Sequence, residues 1–117
     1  MERKRTPRQG QGPAGGTGAG SIHARVIDEE KGLRLITGVS VVRVRSKEYN
    51  LLIMEDYLPA LGKVDGSVTF LTRDEEYHLE GVKGFYKHQH NEFTLLLEKQ
   101  ASTVVTPNGS RERGGEV

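Results

Sequence analysis

Residues 39–45, Val-Ser-Val-Val-Arg-Val-Arg, carry the clearest alternation of apolar and charged side chains in the chain. Val42 and Val44 fall on one side of an extended backbone, and Arg43 and Arg45 fall on the other, because successive side chains of a β-strand point to opposite faces. The segment therefore predicts a strand with one face toward a core and the other toward solvent. This pattern decides the fold class.

Short runs rich in apolar and β-branched residues lie on both sides of this strand, separated by charged or glycine-containing turns. They cover residues 21–27, 33–37, 49–54, 67–72, 77–82, 84–88 and 92–98. No run has the long apolar period of 3.6 residues that an amphipathic helix requires. The pattern is typical of an all-β domain, a small antiparallel β-sandwich or flattened barrel of about eight short strands.

Two polar segments flank this pattern. Residues 1–20 hold no aliphatic side chain larger than alanine after Met1, and residues 101–117 hold one Val-Val pair among polar residues, glycine and proline. Such segments bury too little apolar surface to offset the entropy of ordering a backbone. We therefore predict a disordered glycine-rich basic leader at 1–20, a β-sandwich domain at 21–100 and a disordered tail at 101–117.

The composition excludes several classes of site. The 117 residues include no cysteine, which rules out disulfides, thiolate metal sites and cysteine nucleophiles. The apolar stretches are far shorter than the ~20 residues of a membrane span, and glycines stand where a secretory signal would be apolar. The expected location is the cytoplasm, with no membrane insertion.

The chemically active side chains do not form a recognisable catalytic or metal-binding set. His88 and His90 would share a strand face, but Gln89, His90 and Asn91 are typical of a hairpin tip, where polar residues need no metal. Residues 74–76 are consecutive carboxylates in a predicted turn, which points them apart rather than around a substrate. We expect no enzymatic activity, no bound metal and no cofactor.

The segment at residues 55–63, predicted to be an ordered loop, holds the candidate interaction site. Tyr57, Leu58, Pro59 and Leu61 place apolar side chains between acidic residues and a lysine. These side chains either close one end of the sandwich or form an exposed apolar cluster of the kind that marks a docking surface. We predict docking on a protein partner through these four residues.

The order of the motifs resembles the N-terminal β-sandwich of the ATP synthase epsilon subunit, which is called delta in mitochondria. The corresponding elements are residues 22–27, Thr37-Gly38 before the valine-rich strand, residues 58–61, Gly66-Ser67-Val68, and the hairpin GFYKHQHNEFTLLLE at 84–98. The hairpin carries the strongest likeness, in the spacing of Gly84, Phe85, Gln89 and Asn91. The resemblance spans about residues 21–99.

This resemblance implies a non-enzymatic module that docks on the stalk subunits of a rotary ATPase. The hairpin motif also predicts that Phe85 is a core residue. Residues 56–60 depart from the family, because Asp-Tyr-Leu-Pro-Ala stands where the family has Gly-His-Ala-Pro-Leu. The family's C-terminal helical hairpin has no counterpart after Lys99, so nucleotide binding and inhibition of the motor are not expected.

A small β-barrel that binds nucleic acid is the alternative. Its contacts would come from a basic arm, Arg3, Lys4, Arg5 and Arg8, and from the strand residues Arg43, Arg45 and Lys47. Binders of single strands also stack bases on exposed aromatic rings, and this chain has four tyrosines, three phenylalanines and no tryptophan. The net charge of +1 gives no strong field toward phosphates, so nucleic acid is the disfavoured partner.

Overall fold

The computed structural model describes residues 20–107, which form seven β-strands and, within that range, no helix. The strands are β1 (Ile22–Asp28), β2 (Gly32–Ser46), β3 (Asn50–Met54), β4 (Ala60–Thr72), β5 (Glu75–Gln89), β6 (Glu92–Leu97) and β7 (Ser102–Pro107). The all-β fold class predicted from the sequence is confirmed. Within residues 20–107 there is no helix long and apolar enough to cross a lipid bilayer.

Five of the strands close into a flattened barrel. Their order is β1-β6-β5-β4-β2, and β2 pairs back onto β1. β3 continues the sheet beyond β2, and β7 pairs with β5. All pairs are antiparallel except β1 with β6, which is parallel. The sequence pattern predicts antiparallel pairing throughout. The tight hairpin makes β6 antiparallel to β5, and in this direction β6 runs parallel to β1.

The three long strands bend near their middles, so that each contributes to both broad faces of the barrel. The bends lie at Gly38, Gly66 and Gly81, beside shifts in the pairing register of β2, β4 and β5. Gly38 and Gly81 have φ values of 69° and 68°, which a residue without a Cβ adopts at little cost. The sequence pattern divides β2 and β5 at these bends, which is why it indicates eight short strands.

Replacing Gly81 by alanine should destabilise the domain by about 1–2 kcal/mol. An added Cβ meets nothing within 4 Å, so the cost comes from the left-handed backbone and not from a clash. Gly81→Asn should lose less, because asparagine tolerates this region better than alanine. Urea denaturation of the three proteins measures the difference. Equal stabilities would show that the bend does not require a left-handed residue.

The inward side chains of β1 and β2 build one wall of the core as the sequence predicts. Ile22, Ala24 and Val26 alternate inward along β1 and are almost completely buried. Val42 and Val44 are completely buried on β2, and the arginines between and after them are exposed. The alternation that decides the fold class is thus confirmed residue by residue.

An aromatic cluster fills the centre of the barrel. Phe93 contacts Phe70 edge-on, with ring centroids 5.7 Å apart, and stacks against Tyr86 at 5.6 Å. Phe85 is not part of this cluster, because its side chain is 41% exposed. The prediction that Phe85 is a core residue is therefore wrong. Gly84 and Tyr86 face inward on β5, and Phe85 between them faces outward.

Strand β7 carries the ordered chain beyond the predicted boundary at residue 100. It pairs antiparallel with the first half of β5, from Ser102 opposite Glu80 to Pro107 opposite Glu75, and Ala101 before it is buried. The prediction of a disordered tail is therefore wrong for residues 101–107, because β5 supplies backbone partners that composition does not reveal. Gly20 bonds to Gly38 through its backbone N–H. The rest of the predicted leader, and residues 108–117, lie outside the described residues.

Candidate interaction surface

The four predicted contact residues lie where the chain passes from β3 to β4. Residues 57–59 form a loop, and Leu61 lies within β4, so the predicted loop at 55–63 extends too far. Leu58 and Leu61 are 75% and 78% exposed, and Pro59 is also exposed. All four side chains are therefore exposed, Tyr57 the least of the three large ones at 38%.

Tyr57 has a different environment from its neighbours. Its ring contacts the ring of His88 edge-on, with centroids 6.4 Å apart, and the side chain is 38% exposed. His88 is completely buried, so the Tyr57 ring lies between this histidine and solvent at one end of the barrel. Of the two interpretations left open by the sequence, the end-closing one fits Tyr57, and the exposed cluster fits Leu58 and Leu61.

The loop is held against the hairpin between β5 and β6. The backbone N–H of Asp56 donates to Oδ1 of Asn91 at 2.7 Å, and Nδ2 of Asn91 donates to Oδ1 of Asp56 at 3.1 Å. The N–H of Tyr57 donates to the carbonyl of Met54 at 3.1 Å. These bonds fix the position from which Leu58 projects.

Leu61 belongs to a larger apolar surface on the outside of the barrel. Strand pairing places outward side chains in rows, and one row runs from Leu33 through Ile27 and Leu96 to Phe85. The adjacent row has Leu35 at one end and Leu61 at the other, with the polar residues Arg25, Thr94 and Lys87 between them. We call this set the apolar face: Ile27, Leu33, Leu35, Leu61, Phe85 and Leu96.

The apolar face is exposed as a group. Leu33, Leu35, Phe85 and Leu96 are between 41% and 63% exposed, and Ile27 is half-buried. Paired residues on one face of a sheet have Cβ atoms only about 4.5–5.5 Å apart, so the apolar row from Leu33 to Phe85 is nearly continuous. Isolated exposed leucines are ordinary, whereas a continuous row marks an interaction site.

A cleft of about 560 Å³ opens beside Leu61 and Phe85. Tyr49, Gly62 and Gly84 are among the residues that line it. The Tyr49 hydroxyl donates to the carbonyl of Lys63. A cleft of this size next to exposed apolar side chains can receive an anchoring side chain from a partner.

Basic side chains border the apolar face around Phe85. Nζ of Lys63 lies 5.9 Å from the centroid of the Phe85 ring, within the range of a cation–π contact. Lys83 and Lys87 share the outer side of β5 with Phe85 and are exposed. An apolar centre with a basic border favours a partner that has apolar side chains surrounded by carboxylates.

His88 and His90, which the sequence pattern places on one strand face, have different environments. The ring nitrogens of His88 are buried and have no hydrogen-bond partner among residues 20–107, and His90 lies in the hairpin turn with φ 52°. The two side chains therefore do not share a strand face. No group of three or more His, Asp or Glu side chains in the described part of the chain could hold a metal ion.

Burial lowers the pKa of His88 below its usual 6.5 and should make stability depend on pH. Unfolded His88 binds a proton near pH 6.5, whereas the folded form stays neutral to lower pH. The unfolding free energy should therefore fall as pH drops below about 6.5, by up to about 1.4 kcal/mol per unit, until the folded pKa is reached. His88→Leu should remove this slope in urea denaturation series, and His90→Leu should keep it. The same slope in both variants would assign it to another group.

The alternative nucleic-acid residues lie apart from the apolar face. Arg43 and Arg45 are exposed on the opposite broad face, and Lys47 forms an ion pair with Asp65 at 3.5 Å. No phenylalanine or tyrosine lies on the cross-strand rows of Arg43 and Arg45 within residues 20–107. This arrangement does not provide a surface for base stacking. The basic arm, Arg3, Lys4, Arg5 and Arg8, lies outside the described residues.

A hydroxyl–imidazole–carboxylate chain, which the sequence does not suggest, lies on this opposite face. Thr69 Oγ1 is 2.8 Å from His78 Nδ1, and His78 Nε2 is 2.8 Å from Glu80 Oε2. An activated hydroxyl also needs N–H donors for the developing oxyanion. Here β4 and β5 lie inside the sheet, and pairing on both sides engages their backbone groups. We therefore interpret the chain as a cross-strand hydrogen-bond network.

Comparison with known proteins supports the fold. No protein-family model matches the chain, and no curated protein matches its sequence. A similar structure is a chain from the cryo-EM structure of the central stalk and c-ring of the Tetrahymena thermophila mitochondrial ATP synthase, with a TM-score of 0.56. The match covers 72% of this chain and 67% of that chain, at 12% sequence identity. At this sequence identity the likeness shows a shared fold. The resemblance to an ATP synthase subunit is therefore supported for the fold alone.

Proposed function

We propose that this protein is a non-enzymatic, cytoplasmic interaction module that docks on the rotor stalk of a rotary ATPase. The observation that carries the proposal is the apolar face, which crosses the outside of the barrel and reaches the exposed Leu61 on β4. The similar fold of a chain in an ATP synthase central stalk and c-ring supports this choice of partner.

The energetics of the apolar face suit a docking role. Complete burial of one exposed leucine or phenylalanine side chain contributes roughly 1.5–3 kcal/mol. The apolar face has four leucines and a phenylalanine exposed by more than a third. Burial of a few of them can offset the entropy lost on association, and the neighbouring lysines would speed the encounter with an acidic partner.

Binding to a purified rotor tests the proposal directly. The full chain is immobilised and exposed to the stalk subunits assembled with the membrane ring, taken from the same organism, and then to the catalytic head without the stalk. We expect saturable binding to the rotor with a Kd of about 1 µM or tighter, and none to the head. Absence of saturable binding to the rotor would reject this choice of partner.

A further inference from the structure

A crevice opens at the side of the barrel, between its two broad faces. It lies where two strand edges are unpaired: β7 pairs only with β5, and residues 33–36 of β2 pair only with β1, within residues 20–107. The crevice has a volume of about 280 Å³, just below the usual range for pockets that hold drug-sized ligands.

One charged side chain lies in this crevice. Arg34 is paired with the buried Val26 on β1, so its side chain is on the inner side of the strand. Its Nη1 donates to Oγ1 of Thr103 on β7 at 3.2 Å, across the opening. Its Nε and Nη2 are buried and have no hydrogen-bond partner within residues 20–107.

The other walls of the crevice are mainly apolar. They include Val26, Ile36, Tyr77, Leu79 and Val105. Buried polar groups in proteins are nearly always hydrogen-bonded, and an unpaired guanidinium N–H among apolar walls is unfavourable. The two unpartnered N–H groups, at Nε and Nη2 of Arg34, therefore indicate a ligand that supplies hydrogen-bond acceptors.

The acidic side chain near Arg34 does not supply them. Asp28 lies in the same region, but its Oδ1 accepts the backbone N–H groups of Glu30 at 2.7 Å and Lys31 at 2.9 Å. The hydrogen bond from Lys31 is the largest cause that lowers the pKa of Asp28. The bond from Glu30 and the charge of Arg34 lower this pKa further. The carboxylate thus stabilises the turn between β1 and β2 and leaves Nε and Nη2 of Arg34 unpaired.

We infer that this crevice binds a carboxylate carried on a short aliphatic chain. Nε and Nη2 lie on one side of the planar guanidinium and donate two parallel hydrogen bonds, which match the two oxygens of a carboxylate. The aliphatic chain would lie along the apolar walls beside Val26, Ile36 and Leu79. A phosphate dianion fits less well, because Asp28 adds negative charge nearby and the apolar walls offer few further donors.

Octanoate is the probe for this site, and the protein is used as the full chain. In an NMR titration we expect saturable shifts of the backbone amides of Val26, Arg34, Thr103 and Val105 and of the Arg34 Nε–H. Octan-1-ol lacks the charge and acetate lacks the chain, so each should bind about tenfold weaker or worse. Equal affinity for octanoate and octanol, or octanoate shifts centred on the apolar face, would overturn the inference.

Two arginine variants on β2 distinguish octanoate binding in the crevice from a general effect of removing one positive charge. Arg34→Met should weaken octanoate binding by about tenfold or more, and Arg43→Met, on the opposite face, should leave it unchanged. Because Arg34→Met removes two buried N–H donors that lack partners within residues 20–107, we expect the variant to fold. Unchanged octanoate binding in Arg34→Met would also refute the site. If that variant unfolds, the comparison of octanoate with octanol on the unmodified chain still decides.

Discussion

Replacing Phe93 by alanine should remove most of the stability of this domain, whereas replacing Phe85 by alanine should change it little. Phe93 is completely buried and contacts the rings of Phe70 and Tyr86, so its loss leaves a cavity at the centre of the barrel. The expected cost is about 3–5 kcal/mol, close to the whole stability of a small domain. Phe85 is on the outer surface, where a substitution costs about 0.5 kcal/mol.

Urea denaturation of the two variants beside the unmodified chain measures both effects. The pair is matched, because both residues are phenylalanines on neighbouring strands of the same hairpin. A loss of stability in Phe85→Ala as large as that in Phe93→Ala would mean that the alternation along β5 is opposite to the one described.

The sequence around Phe85 does contain the signal for its outward direction. Lys83 and Lys87 lie two residues before and after it, and residues two apart on a strand share a face. An inward Phe85 would bury both lysines, whereas the alternative phase buries Val82 and Tyr86. The family motif Gly-Phe predicts the wrong phase, and the charge pattern predicts the correct one.

The first half of β2 is a case that the local pattern cannot predict. Leu33 and Leu35 point outward there. Arg34, which lies between them in the sequence, points into the crevice. Binary patterning alone would place the two leucines in the core. Pairing with β1 and the bend at Gly38 set the direction of these side chains, and both are features of tertiary structure.

Long-range pairing also limits what the sequence predicts about the rest of the fold. The strand at 39–45 and β1 are predicted correctly because each has a strong local alternation. The start of β4 is missed, since Pro59 and Gly62 are typical of a loop, and β7 is missed because its composition is that of a polar tail. The parallel pairing of β1 with β6 joins segments that are more than sixty residues apart at their paired positions, for example His23 with Glu92.

These departures from patterning coincide with the two surfaces proposed to bind other molecules. Outward leucines on β2 contribute to the apolar face, and the inward arginine between them lies in the crevice. Where a segment serves only stability, its sequence generally follows the local patterning rules. Departures from these rules are expected at functional sites. The same short segment therefore contributes to docking on its outer side and to ligand binding on its inner side.

Replacing Leu61 and Phe85 together by serine should abolish docking on the rotor and leave the domain folded. Both side chains are exposed and border the 560 Å³ cleft, so the substitutions remove apolar anchors without opening a cavity in the core. Two anchor residues at about 2 kcal/mol each weaken binding by about 100-fold or more, even where their effects are not fully additive.

Leu52→Ser with Met54→Ser is the matched control for this variant, because Leu52 and Met54 are exposed apolar residues on the opposite face, at 44% and 48%. It should bind the rotor like the unmodified chain. Tyr57→Ser should instead lower the melting temperature, since Tyr57 covers the buried His88 at the end of the barrel. Thermal melts beside rotor-binding curves separate the two kinds of effect. If the Leu61/Phe85 variant is folded and binds the rotor as tightly as the control variant, the apolar face is not the docking surface.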